Sequence, residues 1–140
     1  MRLARHTMDE AQRQSIRGKI SQTLREKEEI LFAIVHGSFQ EGLAFRDIDI
    51  GIYLDSRLSE ESVFEKECGY SLELEDRLGL PVDVKILNRA SLGFQYALSS
   101  GELLFSRDSN AFYDFRERVW SRYLDHKYFY EQSLKDLLAS

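Results

Sequence analysis

Cysteine is nearly absent from this chain. Cys68 stands alone in 140 residues, so no internal disulfide can staple the fold, which fits a reducing compartment and a cytoplasmic location. Proline is as scarce, with one residue, and eight glycines leave little material for a linker. No stretch approaches the roughly 20 apolar residues of a membrane span. The opening MRLARHTMDEAQ lacks the apolar core of a secretory signal. A basic surplus is missing as well. The formal net charge of −5 argues against a dedicated nucleic-acid binder, yet it leaves nucleotides open as ligands, because metal ions can supply the positive charge there. What is present, 43% hydrophobic and 31% charged residues, describes a soluble globular chain. Its length fits one domain, residues 1–140, able to bury a core unaided.

Periodicity predicts the elements. Residues 8–29 are helix-favouring, with Ile16, Ile20 and Leu24 spaced by four. The apolar run ILFAIVH, residues 30–36, reads as a buried strand ended by Gly37. In DIDIGIYL, residues 47–54, the isoleucines alternate with Asp47, Asp49, Gly51 and Tyr53, which is strand spacing. Residues 59–78 predict a helix capped by Ser59 and closed by Gly79, with Val63, Phe64, Leu72 and Leu74 among its apolar positions. PVDVKIL, residues 81–87, is a third strand. A short helix is expected over 90–99 and an edge strand over 102–105. Residues 109–138 read as a long helix with a stripe of Phe112, Phe115, Val119 and Tyr123. The interleaving of strands and helices is α/β.

Two carboxylates two residues apart on a strand emerge side by side, so Asp47 and Asp49 repel unless a cation lies between them. Hard oxygen ligands favour Mg²⁺ or Mn²⁺. Two solvated acids at a strand end are the plainer alternative on spacing alone. Asp83, between Val82 and Val84 in an apolar strand, adds a third carboxylate, and such a trio suits two-metal phosphoryl chemistry. In HGSF, residues 36–39, Gly37 permits a tight turn. Ser38 is placed to cap a short following helix and offer its hydroxyl to a phosphate, and exposed N–H groups at a helix start attract anions. An ordinary strand-to-helix turn would look the same in isolation.

Taken in order, HGSFQEGLAFRDIDIGIYL and then PVDVKILN resemble the signature of the nucleotidyltransferase superfamily, polymerase beta-like: Gly-Ser, a spacer, Asp-x-Asp and a later strand Asp. ALSSGELLFSRD and the C-terminal RVWSRYLDHKYFYEQ extend the resemblance over nearly the whole chain, toward the minimal nucleotidyltransferases. The eight residues between Ser38 and Asp47 are fewer than many members have, which shortens the intervening segment. The resemblance implies a small mixed sheet flanked by helices, with a long C-terminal helix. It implies that Gly37 and Ser38 bind the triphosphate, that Asp47, Asp49 and Asp83 carry metal, and that Asp83 helps deprotonate the attacking hydroxyl. Many such proteins are antitoxins paired with a helical HEPN-domain ribonuclease toxin, and some silence it by moving AMP from ATP onto a tyrosine. An antitoxin acting by contact alone and an enzyme acting on a small molecule such as an aminoglycoside are the competing readings. The intact acids oppose the first and the short chain opposes the second.

Other residues weigh less. Strand alternation turns Arg46 away from Asp47, making it structural. Lys85 shares a face with Asp83 and neutralises it. His36 borders the site as a packing residue, His6 and His126 show no partner pattern, and Cys68 reads as inert. A helix of about thirty residues would span about 45 Å, longer than the body needs. Its aromatic second half, from about Asp125, is the candidate partner surface. The sequence leaves oligomeric state open, a homo-oligomer included.

Overall fold

Ile30–His36 forms strand β1 and Ile48–Leu54 forms β2, paired antiparallel. The structure, a computed structural model, describes residues 4–55, 59–108 and 110–139. Val82–Ile86 is β3, parallel to β2, and Glu102–Ser106 is β4, antiparallel to β1. The four strands make one mixed sheet in the order β3-β2-β1-β4. Helices α1 (Glu10–Arg25), α2 (Glu60–Leu78), α3 (Leu92–Ser99) and α4 (Ala111–Ala139) surround it.

Strand alternation divides the core in two. Ile48, Ile50 and Ile52 of β2, with Val82, Val84 and Ile86 of β3, pack against α1 and α2 through Ile16, Ile20, Leu24, Tyr70 and Leu74. On the opposite face Phe32 and Ile34 meet Leu87, Leu98 and the α4 residues Phe112, Phe115 and Val119. This second cover begins at Gly51, where an added Cβ would touch Leu87 and Leu98 at 3.4 Å. The end of the sheet that carries His36, Asp49 and Asp83 lies beyond it.

β3 is an edge strand, yet its outward N–H groups are not left bare. Val82 N donates to Glu75 Oε2 at 2.9 Å, Val84 N to Ser71 Oγ at 3.2 Å and Ile86 N to Glu67 Oε2 at 2.9 Å. Residues 67, 71 and 75 are spaced by four and share one helix face. Side chains of α2 thus replace a neighbouring strand and close the edge to further pairing.

The helices begin and end on recognisable chemistry. Asp9 caps α1 in a reciprocal capping box with Gln12, and the helix stops at Arg25, inside the expected 8–29. Ser59 caps α2, and Gly79, at φ 68°, ends it in the left-handed conformation. Phe64 and Leu72, expected among the apolar positions of that helix, are exposed, because α2 packs on the sheet through Tyr70 and Leu74 and turns the other side outward. α4 is described from Ala111, so Ser109 at the start of the expected helix lies outside the described residues. Among the described residues no helix is long and apolar enough to cross a membrane.

Candidate active site

The site forms where β1 ends and β2 and β3 begin. His36 pairs with Asp49 across β1 and β2, and Asp49 pairs with Asp83 across β2 and β3. Register partners point to the same side of a sheet, so an imidazole and two carboxylates stand in a row. Asp47 sits in a bend just before β2 rather than in the strand, and it lines the same cavity as Asp49. Asp49 feels all three neighbours. Burial first, then the charge of Asp83, raise its carboxyl above the ordinary value of 3.8, His36 pulls it down, and Asp47 adds a further upward push. His36 thus stands beside Asp49 across the strand pair. Lys85 Nζ lies 3.9 Å from Asp83 Oδ1, with both side chains about half exposed.

Gly37 is fitted to Asp49 in two ways. Its φ of +85° suits glycine, and a Cβ there would sit 2.6 Å from Asp49 Oδ2. Ser38 follows, but no helix does, contrary to the expectation that Ser38 caps one. Glu41 N donates to Gly37 O at 3.0 Å, closing a single helical turn. Leu43 N then reaches Ser38 O at 2.9 Å and Gly42 N reaches Phe39 O at 3.3 Å, with Gly42 at φ +80°. That is a Schellman ending after one turn, so any phosphate held here meets the Ser38 hydroxyl and a tight loop rather than a helix start.

Two arginines that the sequence did not mark hold this loop. Arg13 of α1 is 2% exposed. Its Nη1 donates to Phe39 O at 2.6 Å, Nη2 to Leu43 O at 2.9 Å and Nε to Met8 O at 3.1 Å. The guanidinium lies over the Phe39 and Phe45 rings at 5.4 and 5.5 Å. Arg17, one turn on, covers Phe39 from 5.4 Å and is bridged to Glu10 at 3.1 Å and Glu102 at 3.5 Å.

A cavity of about 230 Å³ opens between Ser38, Asp47, Asp49, Arg46 and Arg5. Arg46 thus shares a wall with the acids, and the expected turn away from Asp47 does not occur, because residues 46 and 47 are in a bend where strand alternation does not apply. Asp83 faces a different hollow, between α2 and β3. The three carboxylates share a sheet end and an electrostatic environment. Even so, among the described residues no three His, Cys, Asp or Glu side chains already stand close enough to hold a metal ion.

Residues 18–110, which include every member of the Gly-Ser, Asp-x-Asp and third-Asp set, match the family described as polymerase beta, nucleotidyltransferase. No curated protein matches the chain in sequence. Solved structures match over nearly their full length. A chain of the MntA-HepT toxin-antitoxin complex is 21% identical, with 91% of this chain and 99% of that one covered and a TM-score of 0.65. The complex of a tri-AMPylated Shewanella oneidensis HEPN toxin with an MNT antitoxin gives 22% identity, 91% and 99% coverage and a TM-score of 0.67. A toxin-antitoxin structure with AMP-PNP gives 23%, 89%, 98% and 0.68. At these identities the likeness establishes the fold.

Proposed function

Because the chain belongs to the polymerase beta nucleotidyltransferase family, we propose that it transfers AMP from ATP to a hydroxyl of a partner HEPN-type toxin and so acts as its antitoxin. The observation that carries this reading is the pairing of Asp49 with Asp83 at one sheet end, with Asp47 and Ser38 lining the cavity beside Asp49. The fold-level likeness to a complex of a tri-AMPylated HEPN toxin with an MNT antitoxin, and to a toxin-antitoxin structure with AMP-PNP, supports the choice of donor and acceptor.

The donor set suits Mg²⁺ or Mn²⁺. It is all carboxylate, and Asp49 is pressed toward protonation by Asp83 and Asp47, a strain that a divalent ion held by Asp47, Asp49 and Asp83 would relieve. Such an ion supplies charge neutralisation on the phosphates and lowers the pKa of a bound hydroxyl. The chain's own residues do the rest. Ser38 offers its hydroxyl to a phosphate oxygen, and the tight Gly37 turn lets the triphosphate approach the backbone. Asp83, about half exposed on β3, takes the proton of the attacking hydroxyl. The acceptor oxygen bonds to the α-phosphorus, the bond from that phosphorus to the bridging oxygen breaks, and pyrophosphate leaves with the electron pair.

The test is incubation with labelled ATP, Mg²⁺ and a HEPN-domain toxin encoded beside this chain, read by mass spectrometry of the toxin. Wild type should add AMP adducts to toxin tyrosines, with transfer reduced roughly hundredfold or more in Asp47→Asn and in Asp83→Asn. A toxin neutralised equally by wild type and Asp47→Asn, and never modified, would make inhibition by contact the correct account.

A further inference from the structure

The mouth of the cavity beside Asp47 and Asp49 is built by a short piece of chain that precedes α1. His6 N donates to Phe45 O at 2.7 Å, Phe45 N donates to His6 O at 3.1 Å, and the two rings pack at 5.6 Å. The bridge is antiparallel, so Arg5 falls alongside Arg46. Both line the cavity with Ser38, Asp47 and Asp49. Like charges set side by side across a strand pair destabilise it. Among the described residues neither guanidinium has an ion-pair partner, although two carboxylates line the same 230 Å³ space. The cavity is thus lined by groups of both signs.

One kind of ligand satisfies both signs: a polyphosphate with its divalent ion, the metal toward the aspartates and the phosphate oxygens toward the arginines. A space of about 230 Å³ has room for the phosphates. We propose that Arg5 and Arg46 form a two-arginine clamp for the β- and γ-phosphates of the donor nucleotide. Guanidinium forks match phosphate oxygens in geometry and charge, and they answer the problem set by a triphosphate entering a carboxylate site in a chain of net charge −5. The same clamp would hold pyrophosphate as it leaves. This assignment rests on the nucleotidyltransferase reading.

The experiment measures binding of ATP, pyrophosphate and AMP, each with Mg²⁺ and without toxin, to wild type, Arg5→Ala, Arg46→Ala, Arg46→Lys and the Arg5→Ala/Arg46→Ala pair. Each alanine should weaken ATP and pyrophosphate about tenfold, the pair more, and Arg46→Lys should recover part of the loss. AMP, which lacks the clamped groups, should bind all variants as it binds wild type. Both side chains are exposed and their like charges repel, so melting temperatures should not fall and a folding defect will not mimic the result. Wild-type affinity for ATP and pyrophosphate in the double variant overturns the clamp and leaves the nucleotidyltransferase reading standing. Equal losses for AMP and ATP also overturn it, since the arginines would then act on the site as a whole. A wild type that binds neither ATP nor pyrophosphate removes the nucleotide reading and the clamp together.

Discussion

Gly37 and Asp49 constrain each other more tightly than any other pair in the site. With a Cβ at 2.6 Å from the Asp49 carboxylate and φ at +85°, Gly37→Ala must bend the turn or displace the acid. The expected cost is about 2 kcal/mol of stability from backbone conformation, measured by denaturant melts, together with loss of AMP transfer. Asp49 itself carries a pH signature. Its folded-state pKa is raised above 3.8 by burial and by Asp83, so the ionised carboxylate opposes folding above the raised value, and the penalty fades as pH falls through that value and is gone below 3.8, where both states are protonated. In chelator, Asp49→Asn should therefore melt higher than wild type at neutral pH, and the two should converge near about pH 4. Mg²⁺ or Mn²⁺ should reverse the order by binding the native acids, raising the wild-type melting temperature and leaving an Asp47→Asn/Asp49→Asn variant unmoved. An equal metal response in that double variant would place the ions elsewhere.

At the scale of elements, the loop between β1 and β2 is a tertiary construction. Its one helical turn ends at Gly42, and Arg13 ties its two ends to α1. Arg13→Ala would leave the Leu43 carbonyl without its Arg13 donor and the Phe39 carbonyl with Gly42 N at 3.3 Å, and should cost about 3 kcal/mol. Arg13→Lys, lacking the fork, should recover only part of it. Hydrogen exchange at the Glu41 and Leu43 amides should accelerate in the alanine variant; unchanged protection would mean the turn stands without its clamp. The strands and the shared face of Asp49 and Asp83 were legible, because alternation in IDIGIYL and VDVKI reports which side chains share a face, and Gly79 marks a helix end by its backbone freedom. Arg13 was not, since it sits in a polar helical stretch and its partners lie 26 and 30 residues away. Arg46 was misread because alternation was extended into a bend. The ladder of Glu67, Ser71 and Glu75 on β3 has the spacing of an ordinary solvated helix face, and only the adjacency of an edge strand gives it a purpose.

Across the whole molecule, the sheet and three helices account for the body, and α4 outgrows it. Phe112, Phe115 and Val119 are buried, Tyr123 stacks on Tyr96 at 3.8 Å, and Trp120 Nε1 donates to Ser99 Oγ at 2.7 Å. From Leu124 onward the helix leaves the core, with Phe129 at 72% and Leu138 at 77% exposure. The division falls where the sequence placed it, near Asp125. A helical segment of about 15 residues is marginal in water on its own, and so many exposed apolar groups are more than a monomer usually displays. Under the antitoxin reading this half of α4 is the surface that holds the toxin, and the helix joins it directly to the layer beneath the acids. The consequence is separable from chemistry. Phe129→Lys with Leu137→Lys should leave the melting temperature and ATP binding unchanged, because both side chains are largely exposed. The same variant should weaken binding of the toxin about a hundredfold, within the range of aromatic anchors at interfaces, and AMP transfer to the toxin should fall with it at low toxin concentration and return as toxin is raised. Calorimetry and transfer rates over a toxin titration measure both. Wild-type affinity in the charged variant would move the docking surface off α4, whereas lost transfer at saturating toxin would mean that the helix also orients the acceptor hydroxyl.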